Sequence, residues 1–285
     1  MNRLSRWRVD EPVLSDGAWG TELQKRGLPL GSSSDLWNLE RPAEVESLAR
    51  RYAEAGSRVV LTNTFQANAL SLARFGAEAL LDEVNRQGVA LARSGAPGLG
   101  IFGSIGPTGG LDRYGPEAVA RAFRGQVHAL AGAGVDALVL ETFLDVAEAL
   151  LALEVARPTG LPVVISLTFD TDQRLRGATP EEVGRLIADA GADAVGLNCV
   201  EGPELVSNLC SRLREGSRLP VWVKPNAGTP RIEIGQPVYA ISAEEFGEYW
   251  TLLESAGAAF IGGCCGAGPD HVRALAERRS PRRSS

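Results

Sequence analysis

Eight short apolar runs alternate with helical patterns along this chain of 285 residues. The helical patterns repeat apolar residues at helical spacing, as in 43–55 and 146–156, and Thr179 before Pro180 is typical of a helix N-cap. Strands that are apolar almost throughout are typical of parallel sheets covered on both faces. The pattern therefore predicts an α/β fold, a single (β/α)8 TIM-type barrel. Its predicted strands are 12–16, 58–62, 99–104, 137–141, 162–168, 194–198, 220–224 and 258–261.

The predicted barrel occupies residues 12–277. Residues 1–11 are expected to form an N-terminal extension, and residues 278–285, rich in Arg and Ser, a disordered basic tail. The basic start precedes no apolar segment long enough for a signal peptide. No run reaches the roughly 18 apolar residues of a membrane helix.

Charge and cysteine usage limit the classes of partner and the compartment. The net charge of −6 provides no global basic field for nucleic acid or an anionic membrane surface, so neither is expected as a partner. Four cysteines at irregular spacing do not resemble a secreted disulfide framework. A cytoplasmic protein is therefore expected.

Polar residues follow the predicted strands directly. In a (β/α)8 barrel these positions converge on one face, where active sites lie. The sequence thus predicts a site built from this set, which comprises Asp16, Thr62–Thr64, Ser104, Glu141, Thr168, Asn198–Cys199, Lys224–Asn226 and Gly263–Cys265.

Three of the four cysteines belong to that set. Adjacent cysteines such as Cys264 and Cys265 do not readily bridge each other, because a trans dipeptide strains disulfide geometry. Together with Cys199 they provide three thiolates from the sixth and eighth strands, which predicts a zinc site with one open position. Redox-active or merely buried thiols are the alternatives. Cys210 lies inside a helical run and is given no role.

A zinc ion held by three thiolates predicts a particular chemistry. It is a poor Lewis acid for water, but it keeps a bound thiol deprotonated at neutral pH. The expected reaction is attack by a substrate thiolate on an electrophilic carbon.

Seven sequence motifs occur along the chain: Leu14–Leu23, Thr62–Phe65, Gly103–Pro107, Glu141–Phe143, Gly196–Cys199, Pro225–Gly228 and Gly262–Gly266. In this order they resemble the motifs of the homocysteine S-methyltransferase family. The resemblance implies a zinc-bearing barrel that transfers a methyl group to the sulfur of homocysteine and forms methionine.

The resemblance also implies roles for individual residues. Cys199, Cys264 and Cys265 would bind Zn2+, with the homocysteine thiolate as the entering ligand. The substrate-binding residues expected are Asp16, Thr64, Phe65, Ser104, Glu141 and Asn198. Among them the acidic pair Asp16 and Glu141 would bind the ammonium group, backbone amides around Ser104 would bind the carboxylate, and Asn198 would orient the metal ligands.

Two candidates for the methyl donor are considered. A small onium compound, like S-methylmethionine, is favoured, and Trp19, Phe65 and Phe143 are the aromatic residues expected to stabilise its cation. A separate corrinoid protein that docks on the strand-end face is the second. A non-catalytic zinc- or thiol-binding barrel is a further alternative, although closed structural zinc sites normally use four protein ligands.

Overall fold

The fold is a closed parallel barrel. The structure is a computed structural model that describes residues 3–7, 11–170, 172–233 and 236–279. Seven neighbouring pairs of strands are parallel, and an isolated parallel bridge between Ser15 and Val59 joins the first strand to the second. The barrel strands are β1 (Val13–Leu14), β2 (Val59–Leu61), β3 (Gly100–Ile105), β4 (Ala137–Phe143), β5 (Val163–Leu167), β6 (Ala194–Asn198), β7 (Val221–Lys224) and β10 (Ala258–Ile261).

Thirteen α-helices lie in the described part of the chain, and the longer ones pack around the barrel. None of these helices is both long enough and apolar enough to cross a membrane. They are α1 (Gly20–Lys25), α2 (Trp37–Glu40), α3 (Pro42–Glu54), α4 (Ala69–Leu72), α5 (Leu81–Gly95), α6 (Leu111–Tyr114), α7 (Pro116–Gly132), α8 (Val146–Ala156), α9 (Pro180–Asp189), α10 (Pro203–Ser217), α11 (Ala243–Gly247), α12 (Tyr249–Ser255) and α13 (Pro269–Arg278).

The eight predicted strands are confirmed, each within a few residues, and so is the N-cap at Thr179. The Thr179 hydroxyl accepts a hydrogen bond from the Glu182 backbone, and the Glu182 carboxylate accepts one from the Thr179 backbone. This capping box satisfies two amides that a helix start otherwise leaves unpaired.

Two stretches depart from a simple alternation of one strand and one helix. The helical region between β2 and β3 is interrupted, because Gly76 adopts a left-handed φ of 65° between α4 and α5. An antiparallel hairpin, β8 (Pro230–Glu233) and β9 (Gln236–Tyr239), also follows β7. Its strands are too short and polar to show the apolar pattern of the barrel strands.

The amino-terminal end of the barrel is filled by aromatic side chains. The rings of Phe102, Trp222 and Phe260 are fully buried, with centroids 5.2 Å apart for Trp222 and Phe260. Trp7 packs edge-on against Phe102 at 4.8 Å, and Leu4 is fully buried beside them. Burial of each such side chain stabilises the fold by about 2–3 kcal/mol. This end of the barrel is therefore plugged.

The predicted N-terminal extension and C-terminal tail are only partly described. Arg3 forms an ion pair with Asp193 at 2.5 Å, so residues 3–7 are held against the barrel. Arg278 ends α13, and Arg279 pairs with Glu11. Residues 1, 2, 8–10 and 280–285 lie outside the described residues.

Candidate active site

Three cysteine sulfurs meet where β6 and β10 end. Cys199 directly follows β6, whereas Cys264 and Cys265 follow β10 after two glycines. The sulfur of Cys199 lies 2.9 Å from that of Cys264 and 4.0 Å from that of Cys265. The backbone of the second pair is anchored, because the Cys264 amide donates to the Pro225 carbonyl at 2.7 Å.

The chain reaches this arrangement through special backbone positions. A Cβ at Gly262 would lie 2.2 Å from Ser15 Oγ and 2.5 Å from the Asp16 carbonyl oxygen, so only glycine fits against β1. Cys199 itself has a φ of 56°, which is uncommon for a residue with a side chain. Such a conformation costs on the order of 1–3 kcal/mol and is concentrated at functional sites.

The cluster fits a metal ion. All three sulfurs lie within 4.8 Å of one another, and among the described residues they form the one group of three or more Cys, His, Asp or Glu whose ligand atoms converge in this way. Thiolates that share one zinc ion at about 2.3 Å each are separated by roughly 4 Å. The Cys199–Cys265 distance of 4.0 Å matches this value, whereas Cys199 and Cys264, at 2.9 Å, would have to move apart by about 1 Å. The site offers three protein ligands and leaves a position for a fourth.

The three thiols interact strongly with one another. Hydrogen bonds from Cys199 and Cys264 lower the pKa of Cys265. The same hydrogen bonds, with burial, raise the pKa of Cys199 well above the ordinary thiol value. A metal ion would take the place of the protons that these three thiols share.

Asn198 connects the cluster to the neighbouring strands. Its fully buried amide donates to Thr142 Oγ1 at 2.6 Å and accepts from the Thr142 backbone at 3.0 Å. It also accepts from Ser166 Oγ at 2.7 Å, and its Nδ2 lies 3.7 Å from the Cys264 sulfur. The side chain thus contacts one of the three cysteines, and its role in orienting a metal ligand stays a prediction.

Glu141 lies on β4 with its carboxylate on the wall of a cavity above the cysteines. The residue is 8% exposed, and Ser104 Oγ donates to its Oε1. Burial raises the pKa of Glu141 to about 7, although the positive charge of Lys224 opposes this shift. The carboxylate is thus poorly solvated and attracts a cation from the cavity.

Asp16 lies beneath the cavity wall rather than on it. Its Oδ1 accepts from Lys224 Nζ at 2.6 Å, and its Oδ2 accepts from Trp19 Nε1 and from the Leu61 backbone, both at 2.8 Å. The Asp16 side chain is fully buried and that of Lys224 is 3% exposed. Burial alone would lower the pKa of Lys224, but the charges of Asp16 and Glu141 outweigh it and the pKa is raised.

The remaining predicted substrate residues divide into two groups. Phe65 and Ser104 lie on the cavity wall. Thr64 is fully buried instead, and its hydroxyl lies between Thr62 Oγ1 at 2.6 Å and the Ser104 carbonyl at 2.8 Å. The Ser104 amide, expected to bind a carboxylate, donates to Thr62 Oγ1 at 3.0 Å.

The cavity has a volume of about 390 Å3 and opens at the carboxyl ends of the strands. Trp19, Phe65 and Tyr239 contribute aromatic rings to its wall. Phe143, expected here, is fully buried and pairs instead with Phe123, at a centroid distance of 6.0 Å. The cavity thus combines aromatic side chains with the thiol cluster.

Among the wall residues, Thr142, Lys224 and Tyr239 were given no individual role by the sequence, although Lys224 belongs to the strand-end set from which a site is predicted. A lysine that ends an otherwise apolar strand could have indicated a buried ion pair, since such a charge is rarely buried without a partner. Tyr239 gave no signal, because the hairpin that carries it was not predicted. Its phenol hydrogen-bonds Cys265, and burial together with the negative charge of Cys265 raises the pKa of Tyr239.

Cys210 and both histidines lie away from the cluster. Cys210 is fully buried in α10, and its sulfur lies 3.8 Å from the Ala256 carbonyl oxygen, in agreement with its predicted structural place. His271 Nε2 is bonded to the Ile241 carbonyl oxygen at 3.1 Å. His128 lies within α7.

Known proteins resemble the chain over nearly its whole length. The methionine synthase of Mycobacterium leprae is 30% identical over 93% of this chain, which spans only 24% of that protein's length. The S-methylmethionine–homocysteine S-methyltransferase BHMT2 of Pongo abelii is 30% identical over 98% of this chain and 82% of its own.

A solved structure also resembles this chain over nearly its whole length. The homocysteine methyltransferase MmuM of Escherichia coli, in its metallated form, matches with a TM-score of 0.81 and 28% identity, over 97% of this chain and 100% of that chain. A family model described as homocysteine S-methyltransferase matches residues 13–279. The chain therefore belongs to the homocysteine S-methyltransferase family.

Proposed function

We propose that the protein transfers a methyl group to the sulfur of homocysteine and forms methionine, with Zn2+ bound by Cys199, Cys264 and Cys265. The observation that carries this proposal is the convergence of three thiols, which no fourth Cys, His, Asp or Glu joins among the described residues, at the floor of a cavity. Three ligands leave a metal position for a substrate thiol. The names of the relatives and the family model support the same acceptor.

A bound zinc ion would keep the acceptor thiol deprotonated at neutral pH. The other requirements fall to the chain itself. Glu141 offers a poorly solvated carboxylate to the substrate ammonium. Asn198 orients the side chain of Cys264 through the contact of its amide with the sulfur. In the reaction a bond forms between this sulfur and the methyl carbon while the bond from that carbon to the donor breaks.

The donor we favour is a small onium compound similar to S-methylmethionine. Its leaving group departs neutral, so activation of the acceptor and alignment are the main needs. Trp19, Phe65 and Tyr239 on the cavity wall support this choice, since aromatic faces attract onium cations. The chain also covers most of a relative whose name includes S-methylmethionine.

The alternative donor is a methylated corrinoid protein that docks over the cavity mouth. The similarity to a methionine synthase favours this second candidate, because the chain matches only about a quarter of that longer protein. A non-catalytic zinc- or thiol-binding barrel and a redox dithiol remain the other classes to be tested.

The decisive experiment is an assay of methionine formation by the purified, zinc-loaded chain. Homocysteine is supplied with S-methylmethionine, S-adenosylmethionine, betaine or methylcobalamin, one at a time. We expect turnover with an onium donor. Turnover with methylcobalamin alone would favour the corrinoid alternative, and no turnover with any donor despite bound zinc would contradict the proposal.

We also propose that the protein acts in the cytoplasm. The four cysteines are free in the structure, and a reducing compartment keeps metal-binding thiols available. Fractionation of the native cells, followed by detection of the protein in each fraction, tests this location. Recovery from an oxidising compartment would contradict it.

A further inference from the structure

Lys224 and Glu141 give the cavity wall one charge of each sign. Among the described residues that line the cavity, Lys224 has the sole cationic side chain and Glu141 the sole carboxylate. Homocysteine is a zwitterion whose sulfur must point to the metal. Its ammonium and carboxylate therefore need one partner each, and the wall presents that number.

The position of Lys224 places its charge close to the thiol cluster. It is the last residue of β7, which lies between β6 and β10, the two strands that end at the cysteines. Its register partner on β6 is Asn198, the residue immediately before Cys199. An acceptor held by its sulfur at the cluster therefore has its other groups within reach of this side chain.

The hydrogen bonds of Lys224 leave donor capacity for a ligand. An ammonium group has three N–H donors. In the described chain Nζ donates to Asp16 Oδ1 at 2.6 Å, and its second contact, with the Gly17 carbonyl oxygen, is long at 3.5 Å. The side chain is nonetheless on the cavity wall, so an anion there would gain a charge-assisted hydrogen bond.

The Asp16 carboxylate is engaged by donors of the protein itself. Its two oxygens already accept from Lys224, Trp19 and the Leu61 backbone. A substrate ammonium would have to displace the buried Lys224 to reach it. The other expected carboxylate receptor, the Ser104 amide, is bonded to Thr62.

We propose that Lys224 binds the carboxylate of the amino-acid acceptor, while Asp16 holds the lysine in place and Glu141 binds the acceptor's ammonium. This assignment rests on the proposed function, because it takes homocysteine as the acceptor. It makes Lys224 a residue that selects amino-acid thiols over thiols without a carboxylate.

The test compares the binding of three thiols to the zinc-loaded protein by calorimetry. Homocysteine carries both charged groups, 3-aminopropanethiol lacks the carboxylate, and 4-mercaptobutanoate lacks the ammonium. The main variant is Asp16→Asn with Lys224→Met, because it removes the buried pair without leaving a single buried charge or altering the net charge. Glu141→Gln is the matched control for the opposite group. Metal content is measured for each protein first.

In the double variant we expect homocysteine and 4-mercaptobutanoate to bind about 10- to 100-fold more weakly, as loss of a hydrogen bond to a charged group predicts. Binding of 3-aminopropanethiol is expected to be unchanged. Glu141→Gln is expected to weaken the two ammonium-bearing thiols instead. Equal losses for all three thiols in the double variant, or no loss, would overturn the assignment of Lys224.

The binding pattern is independent of turnover. If the double variant shows the expected selectivity but the wild-type chain methylates no homocysteine, the proposed reaction fails and the Lys224 assignment stands. If the wild-type chain forms methionine but all three thiols lose affinity equally in the double variant, the proposed reaction stands and the Lys224 assignment fails.

Discussion

Asn198 and Thr142 exchange two hydrogen bonds across the end of β5, from amide to hydroxyl at 2.6 Å and from backbone amide to side-chain oxygen at 3.0 Å. Thr142 has a φ of 65°, so its backbone conformation is unfavourable without such a partner. The pair links Glu141, which precedes Thr142, to Cys199, which follows Asn198. The proposed ammonium site and the metal site are thus held by one connection.

Substitution of Asn198 is predicted to affect both stability and metal binding. Asn198→Ala removes three buried hydrogen bonds, and we expect a loss of about 3 kcal/mol in the free energy of unfolding. Zinc affinity should fall by roughly tenfold or more, because the Cys264 side chain loses the amide that orients its sulfur. Urea denaturation and competition with a chelator measure the two effects. Thr168→Val, which removes one hydrogen bond to the Asn198 carbonyl, is the control, and equal zinc affinity in both variants would contradict the role of the side chain.

Removal of single cysteines is predicted to separate the metal ligands from the structural thiol. Cys199→Ala and Cys264→Ala are each expected to lose bound zinc and methyl transfer, since two thiolates hold the ion poorly. Cys210→Ala is expected to keep both, at a cost of about 1 kcal/mol in stability from its buried position. Elemental analysis of the purified proteins gives the metal content. A zinc-replete, active Cys264→Ala protein would refute the assignment.

The raised pKa of Glu141 predicts a pH dependence of stability in the metal-free protein. The pKa is about 7 in the folded chain, against 4.5 for an ordinary glutamate. Below the lower value both states are protonated, and as pH rises toward the upper value the unfolded state ionises first. Glu141 therefore reduces stability progressively between these values, by roughly 3 kcal/mol in total.

Glu141→Gln lacks this titration. Urea unfolding of both proteins across this pH range should show the variant gaining relative stability as pH rises. Parallel stability curves would show that the Glu141 pKa is close to normal.

Gly262 is predicted to be irreplaceable for packing reasons. Gly262→Ala would force a Cβ against Ser15 and the Asp16 backbone, so we expect a loss of about 2 kcal/mol or more and weaker metal binding. Gly132→Ala is the matched control, because its Cβ would meet no atom within 4 Å at the end of α7. Thermal unfolding of the two variants provides the comparison. If Gly262→Ala unfolds at the same temperature as the control, the close approach of β1 and β10 does not constrain the site.

The sequence was sufficient to predict the barrel and the thiol cluster for a clear physical reason. Parallel strands buried on both faces leave nearly continuous apolar runs, and a barrel brings the residues after those runs to one face. Cys199 and Cys264 are 65 positions apart in the chain, yet their strand-end positions were enough to predict their proximity.

The partners of charged residues could not be predicted in the same way. Asp16 and Lys224 are 208 positions apart, and their pairing depends on which long side chains meet inside the closed barrel. Strand-end position, together with the family resemblance, made Asp16 a candidate for substrate contact. It could not indicate that a lysine from β7 already occupies that carboxylate. Tyr239 escaped prediction because short hairpin strands have no apolar periodicity.

The aromatic plug formed by Phe102, Trp222 and Phe260 has a consequence for the order of events during turnover. Because the amino-terminal end of the barrel is filled, the cavity has a single opening, at the carboxyl ends of the strands. Both substrates must enter through it. The acceptor belongs at the bottom, next to the cysteines, and the donor above it. Under the proposed function, a donor that bound first would block the acceptor's path to the cysteines. We therefore expect the acceptor to bind first and the spent donor to leave before methionine.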